Sequence, residues 1–227
     1  MPRDSYQEGL NSLREDVLYM SEIVLERLRL GLDALEQKDE EMAREVIEGD
    51  HEINQLYLDL EQDCIDLLAL QQPVASDLRF IAASFKIITD LERIGDLATN
   101  LGEYSLTAER DVYPEVDIQD VADVTIEMVE NAMEAYGDEN ADQCYAIADI
   151  DDEVDERCEA ASETVVRDLI EREIDAESSE AEIEQLMADV SRLLLTIRDI
   201  ERVGDHVEQQ VVDRGRKSPF GAQPFRP

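Results

Sequence analysis

Glu92 and Asp96 stand four residues apart, as do Glu201 and Asp205, and each pair sits in a seven-residue block that occurs twice: Asp90-Leu-Glu92-Arg93-Ile-Gly95-Asp96 and Asp199-Ile-Glu201-Arg202-Val-Gly204-Asp205. On a helix that spacing places two carboxylates on adjacent turns of one face, where they can share a hard cation. Spacing alone says little, because 58 acidic residues among 227 give about 15 such pairs by chance, mostly solvated charge. The information lies in the repetition. Asp50 and Asn54 in the first half correspond to Asp151 and Asp155 in the second. Oxygens from these positions would complete two candidate sites: Asp50, Asn54, Glu92 and Asp96, and Asp151, Asp155, Glu201 and Asp205. Such ligands suit divalent or trivalent ions, with iron, manganese, magnesium or zinc as candidates. Asn54 offers a neutral carbonyl where its counterpart is a carboxylate, which lowers the charge of the first site. Asn100 and Gln209, one turn beyond Asp96 and Asp205, could add a ligand each. The competing reading is a helix face whose carboxylates pair with Arg93 and Arg202 in exposed salt bridges worth about 0 to 1 kcal/mol apiece.

Helices must carry these residues. Leu10, Leu13, Val17, Met20, Val24, Leu28, Leu32 and Leu35 step by three or four, which predicts one apolar stripe along a helix of about 28 residues. A second helix is expected from about Asp39 to Gln71, with Met42, Val46, Ile53, Leu56, Leu60, Ile65 and Leu68 turned inward and Pro73 ending it. The third runs to about Ala108. The segment from Asp111 to Asp117, with Pro114, reads as the connection between halves. A fourth helix then begins with Val121, Val124, Met128 and Met133, a fifth spans Ala141 to about Glu173, and a sixth spans Ala181 to about Arg214. The last ten residues hold three prolines and are expected to be a disordered tail.

The two acidic blocks are offset by 109 residues, while Leu28 meets Val129, Val46 meets Ile147, Asp50 meets Asp151 and Ile53 meets Val154 at an offset of 101. Two homologous units joined head to tail follow. Long amphipathic helices with short connections bury their stripes best as antiparallel bundles. The expected fold is therefore all-α: two tandem three-helix bundles, at 1–110 and 111–217, followed by the tail at 218–227. Gly95 and Gly204 interrupt good helices at equivalent places. That requires either a close helix neighbour or room for a metal.

Composition bounds the rest. A formal net charge of -38 repels nucleic acid and anionic membrane, both of which need cationic side chains. Lys38, Lys86 and Lys217 are the chain's three lysines, and this carboxylate-rich surface reads as adaptation to concentrated salt, which screens the self-repulsion. No run of eighteen apolar residues exists, so membrane insertion is not expected. Cys64, Cys144 and Cys158 have no paired spacing and read as buried thiols of a reducing cytoplasm. Glu48 and His51 form a single Glu-x-x-His, whereas the second half has Asp149 and Asp152 at the matching places, so a di-iron oxidase is disfavoured. No nucleophile elbow, phosphate-cradling glycine loop or zinc-protease signature is present, and no catalytic residue is expected.

From about Leu10 to Val212 the chain resembles the PhoU family. The likeness is carried by Ala34-Leu35 before Asp39, by Val46 with Asp50-His-Glu-Ile-Asn54, by Leu70-Gln-Gln-Pro73-Val-Ala-Ser-Asp77-Leu-Arg79, and by both Glu-Arg-x-Gly-Asp blocks. The resemblance implies two three-helix bundles whose acidic motifs bind metal, with Glu92, Asp96, Asp50, Asp151, Asp155, Glu201 and Asp205 matching and Asn54 departing. It implies negative regulation of phosphate uptake and phosphate-responsive signalling. The implied cytoplasmic partners are the ATPase subunit of a phosphate ABC transporter and, where present, a sensor histidine kinase. A homodimer is expected, since long helical units pair. A metal-dependent enzyme or metal store, and a helical adaptor without metal, remain the alternatives.

Overall fold

The computed structural model describes residues 2–70, 74–107, 116, 118–138, 140, 144–171 and 179–216. Six helices occupy them: α1 (Pro2–Gln37), α2 (Glu40–Leu70), α3 (Ala75–Thr107), α4 (Ile118–Gly137), α5 (Cys144–Glu171) and α6 (Glu180–Arg216). Among the described residues there is no strand. The connection at 108–115, Pro73, the start expected for the fifth helix at Ala141, and the tail lie outside them.

Local chemistry sets the helix ends. Lys38 takes a left-handed φ of 53°, which breaks α1, and Asp39 then caps α2 by accepting from the backbone N–H groups of Glu41 at 2.8 Å and Met42 at 3.2 Å. At the start of α6, the Ser179 hydroxyl accepts from Glu182 N–H at 3.3 Å while Glu182 Oε2 accepts from Ser179 N–H at 2.8 Å. This reciprocal capping box satisfies two donors that the first turn leaves orphaned.

Helix α1 is longer than its leucine stripe indicates, at 36 residues, because Tyr6, buried to 8% exposure, continues the apolar face beyond Leu10. Helices α1, α2 and α3 pack together, as do α4, α5 and α6. Val17, Met20, Val24, Ile88, Leu91 and Ile94 are fully shielded in the first bundle, and Met128, Val154 and Val165 in the second. Ile65 and Leu68 face solvent instead of the core. Ile65 shares its exposure with its counterpart Val166, and Leu78 on α3 is exposed like its counterpart Met187.

The halves join through equivalent helices, α1 against α4 and α3 against α6, so an approximate two-fold axis runs between them. Arg29 and Glu130, the same position in the two repeats, form an ion pair across it. Nearby, the buried Tyr136 of α4 shares a 2.8 Å hydrogen bond with Ser84 and stacks on Phe80, centroids 5.9 Å apart. One continuous apolar core therefore spans both repeats.

Candidate functional site

The acidic blocks lie mid-helix on α3 and α6, and the partner positions lie on α2 and α5. Gly95 and Gly204 allow these helices to meet. A methyl group on Gly95 would stand 2.9 Å from Ile53 Cδ1, and one on Gly204 would stand 3.1 Å from Asp151 Oδ1 and 3.4 Å from Val154 Cγ1. Close helix contact accounts for the first glycine. The second lies against a carboxylate as well as an aliphatic side chain.

All eight expected residues fall into two groups, one per repeat. In the first, Asn54 Nδ2 donates to Asp50 Oδ2 at 2.7 Å, and the Thr99 hydroxyl approaches Asp50 Oδ1 at 3.5 Å. Burial, then the charges of Asp96 and Asp50, push the Glu92 carboxyl above the usual range, with Arg93 opposing. Burial and Asp50 do the same to Asp96.

In the second group the neutral donors are gone. Asp155 replaces Asn54, and Glu208 stands where Thr99 does in the first repeat. Asp151 is 8% exposed, and its Oδ1 is buried without a hydrogen-bond partner among the described residues. Burial, followed by the charges of Asp155, Glu208, Asp205 and Asp152, pushes its carboxyl up to about 7. Asp155 is raised by burial and by Asp205 and Asp152, and Glu201 by burial and by Asp155 and Asp205. A buried, unpartnered carboxylate among carboxylates costs free energy unless a proton or a cation joins it. By that criterion the second group fits a metal ion better than the first, whose Asp50 already accepts from the neutral Asn54 amide. In neither group do three His, Cys, Asp or Glu side chains among the described residues close round a single point. They are neighbourhoods of charge rather than finished coordination shells.

Glu208 was not among the expected ligands. Its signal was its place three residues after Asp205, the other helical spacing that stacks side chains on one face. Asn100, expected as a ligand, donates instead to Asp199 Oδ2 at 3.2 Å, beside the Tyr104 hydroxyl at 2.9 Å. The Gln209 side chain lies outside the described residues. The first aspartate of each block thus reaches across to the other repeat. Asp199, its side chain wholly buried, takes the two donors of α3, while Asp90 Oδ1 stands 3.4 Å from His206 Nδ1 on α6. His51, exposed, turns its Nδ1 to the Glu48 carbonyl. Cys64 and Cys158 are buried free thiols pushed up to about 12 by burial, which leaves them unreactive.

Among the described residues the block arginines form no ion pair with Glu92, Asp96, Glu201 or Asp205; Arg202 instead pairs with Asp199 of its own block, 3.8 Å from its Oδ1. Both Arg93 and Arg202 line a cleft of about 450 Å³ between the repeats, with Asp50, Asp96, Thr99 and His206.

A model of the PhoU domain matches residues 17–105 and 118–210, one in each half. The chain is 32% identical over 204 residues to the phosphate-specific transport system accessory protein PhoU homolog 1 of Thermotoga maritima, covering 88% of this chain and 83% of that protein. It is 32% identical over 207 residues to the homolog 1 of Methanothermobacter thermautotrophicus, covering 90% of each. The crystal structure of PhoU from Pseudomonas aeruginosa superposes with a TM-score of 0.83 at 27% identity, covering 94% of this chain and 100% of that one. The phosphate transport system regulatory protein PhoU from Streptococcus pneumoniae gives 0.81 at 26% identity, covering 94% and 98%.

Proposed function

This chain belongs to the PhoU family, and on that premise we propose that it restrains phosphate uptake and phosphate-responsive signalling by docking on protein partners while holding cations at its duplicated acidic blocks. It is an accessory protein of the phosphate transport system and not an enzyme. The partners are the ATPase subunit of the transporter and, where present, a sensor histidine kinase, and the encounter takes place in the cytoplasm. No helix among the described residues is long and apolar enough to cross a membrane. Exposed apolar side chains at matching places on the two repeats, Ile65 with Val166 and Leu78 with Met187, give such a protein partner something to cover. The self-repelling surface suits concentrated salt.

The observation that carries the cation part is Asp151 Oδ1, buried and unpartnered. Asp151, Asp155, Glu201, Asp205 and Glu208 would hold an ion in the second repeat. Asp50, Glu92 and Asp96, with the Asn54 carbonyl, would hold one in the first more weakly. A bound cation supplies positive charge that offsets the carboxylates and fixes α5 against α6.

Replacing Glu201 and Asp205 together by alanine tests the reading. Elemental analysis after gel filtration should show metal lost from the variant, and affinity capture should show weaker retention of the transporter's ATPase subunit. Unchanged metal content together with full capture leaves a metal-free helical adaptor as the better description. Many equivalents per chain would point to a metal store.

A further inference from the structure

The basic side chains of this molecule are few, 20 against 58 acidic ones, yet two of them meet in one place. Arg93 and Arg202 hold the same position in the two acidic blocks, and the approximate two-fold axis between α3 and α6 brings both to the cleft between the repeats. At about 450 Å³ the cleft lies within the range of small-molecule sites, roughly 300–1,000 Å³, but its lining is polar where such sites are mostly apolar. Leu97 is the one aliphatic residue along it. Its occupant must therefore be small and charged.

The arginines set the sign of that charge. A guanidinium presents a planar fork of donors that matches the paired oxygens of phosphate and carboxylate. Elsewhere the protein uses such forks against its own carboxylates, as Arg27 does with Glu52 and Arg157 with Glu153. Arg93 and Arg202 are left facing the cleft, and Arg202 is held only loosely, 3.8 Å from Asp199 Oδ1. Two other polar residues of the lining are already engaged, since Asn100 donates to Asp199 and His206 faces Asp90. Asp50 and Asp96 in the lining balance the two arginines, so the lining is about neutral in a chain of net charge -38. This makes it a favourable place for an anion on an otherwise repulsive surface.

We propose that the inter-repeat cleft is a receptor site for inorganic phosphate, gripped by the guanidinium groups of Arg93 from the first repeat and Arg202 from the second. A ligand held from both sides ties the halves together, and a partner that docks on both repeats senses whether it is bound. The inference goes beyond the regulatory reading by assigning the ligand and its donors. A cation on Asp50 and Asp96, which line the same cleft, strengthens the anion's binding, and phosphate strengthens the cation's by the same factor.

Isothermal titration of inorganic phosphate into the full chain, with manganese present, should give one site per chain. R93Q and R202Q should each weaken it about tenfold to a hundredfold, the range for one charge-assisted hydrogen-bond partner. R93K should weaken it as well, because it keeps the charge and loses the fork. R44Q, at an exposed arginine outside the cleft that pairs with Glu40, should leave phosphate binding unchanged, and R93Q and R202Q should keep the wild-type melting profile. A nucleoside diphosphate should compete poorly. No phosphate binding, full binding by both R93Q and R202Q, or tighter binding of the nucleoside diphosphate overturns the assignment. Manganese binding without phosphate binding sinks this inference and leaves the metal reading standing. Phosphate binding without manganese binding does the reverse.

Discussion

Asp151→Asn removes a charge from the most confined carboxylate of the second group, and its effect can be worked from the structure. The folded protein holds the Asp151 proton up to about pH 7, against an ordinary value of 3.8. Between those limits the folded state keeps a proton that the unfolded chain has released. Stability contributed by this group is therefore fully present below about pH 4 and falls as pH rises through about 7. Each factor of ten in proton affinity is about 1.4 kcal/mol, so ionising Asp151 at about pH 8 costs the metal-free fold up to about 4 kcal/mol. Molar salt screens the part due to Asp155, Glu208, Asp205 and Asp152 but not the larger part due to burial. Asparagine has the same shape, carries no charge, and can donate to Asp155 much as Asn54 donates to Asp50. Scanning calorimetry in molar salt with a chelator should show D151N melting higher than the parent near pH 8, by up to about 10 °C. The gap should close near pH 4. Added manganese should raise the parent and leave the variant nearly unmoved. A variant that melts lower than the parent in chelator near pH 8, or a gap indifferent to pH, refutes the reasoning.

Two further substitutions test the packing. Tyr104→Phe deletes the 2.9 Å hydrogen bond to the wholly buried Asp199 and should cost about 1–3 kcal/mol in denaturant titrations. Because burial and Asp199 push the Tyr104 hydroxyl up to about 12, that loss should be constant from neutral pH to about pH 10. Gly102→Ala places a methyl group 3.0 Å from the Ala43 carbonyl of α2. A backbone atom cannot turn aside, so overpacking of about 1–3 kcal/mol should outweigh the helix-propensity gain of about 1 kcal/mol, and the midpoint of unfolding should fall.

The helices and the repeat were legible because both rest on periodic pattern. The leucine stripe of α1 and the doubled block on α3 and α6 carry that pattern without reference to distant contacts. Ile65 and Leu68 misled because the face of α2 that is covered there runs through Leu60, Cys64 and Leu67, one residue away, and a run of neighbouring apolar residues does not reveal which of them the adjacent helices cover. The candidate site was half legible. Repetition pointed to the eight residues and to the exchange of Asn54 for Asp155, but not to that of Thr99 for Glu208, which matters only once α2 is laid on α3 and α5 on α6. Nor could spacing assign Asp90 and Asp199 to the opposite repeat, or bring Arg93 and Arg202 to one cleft. Those roles arise where the halves meet.

The ion pair between Arg29 and Glu130 limits how interchangeable the halves are. A residue on an axis of exact symmetry faces its own twin. Two copies of the amino-terminal half would therefore set arginine against arginine there, and two copies of the carboxy-terminal half would set glutamate against glutamate. At this position each half complements the other, and a chain rebuilt from either alone would carry a small repulsion at its seam.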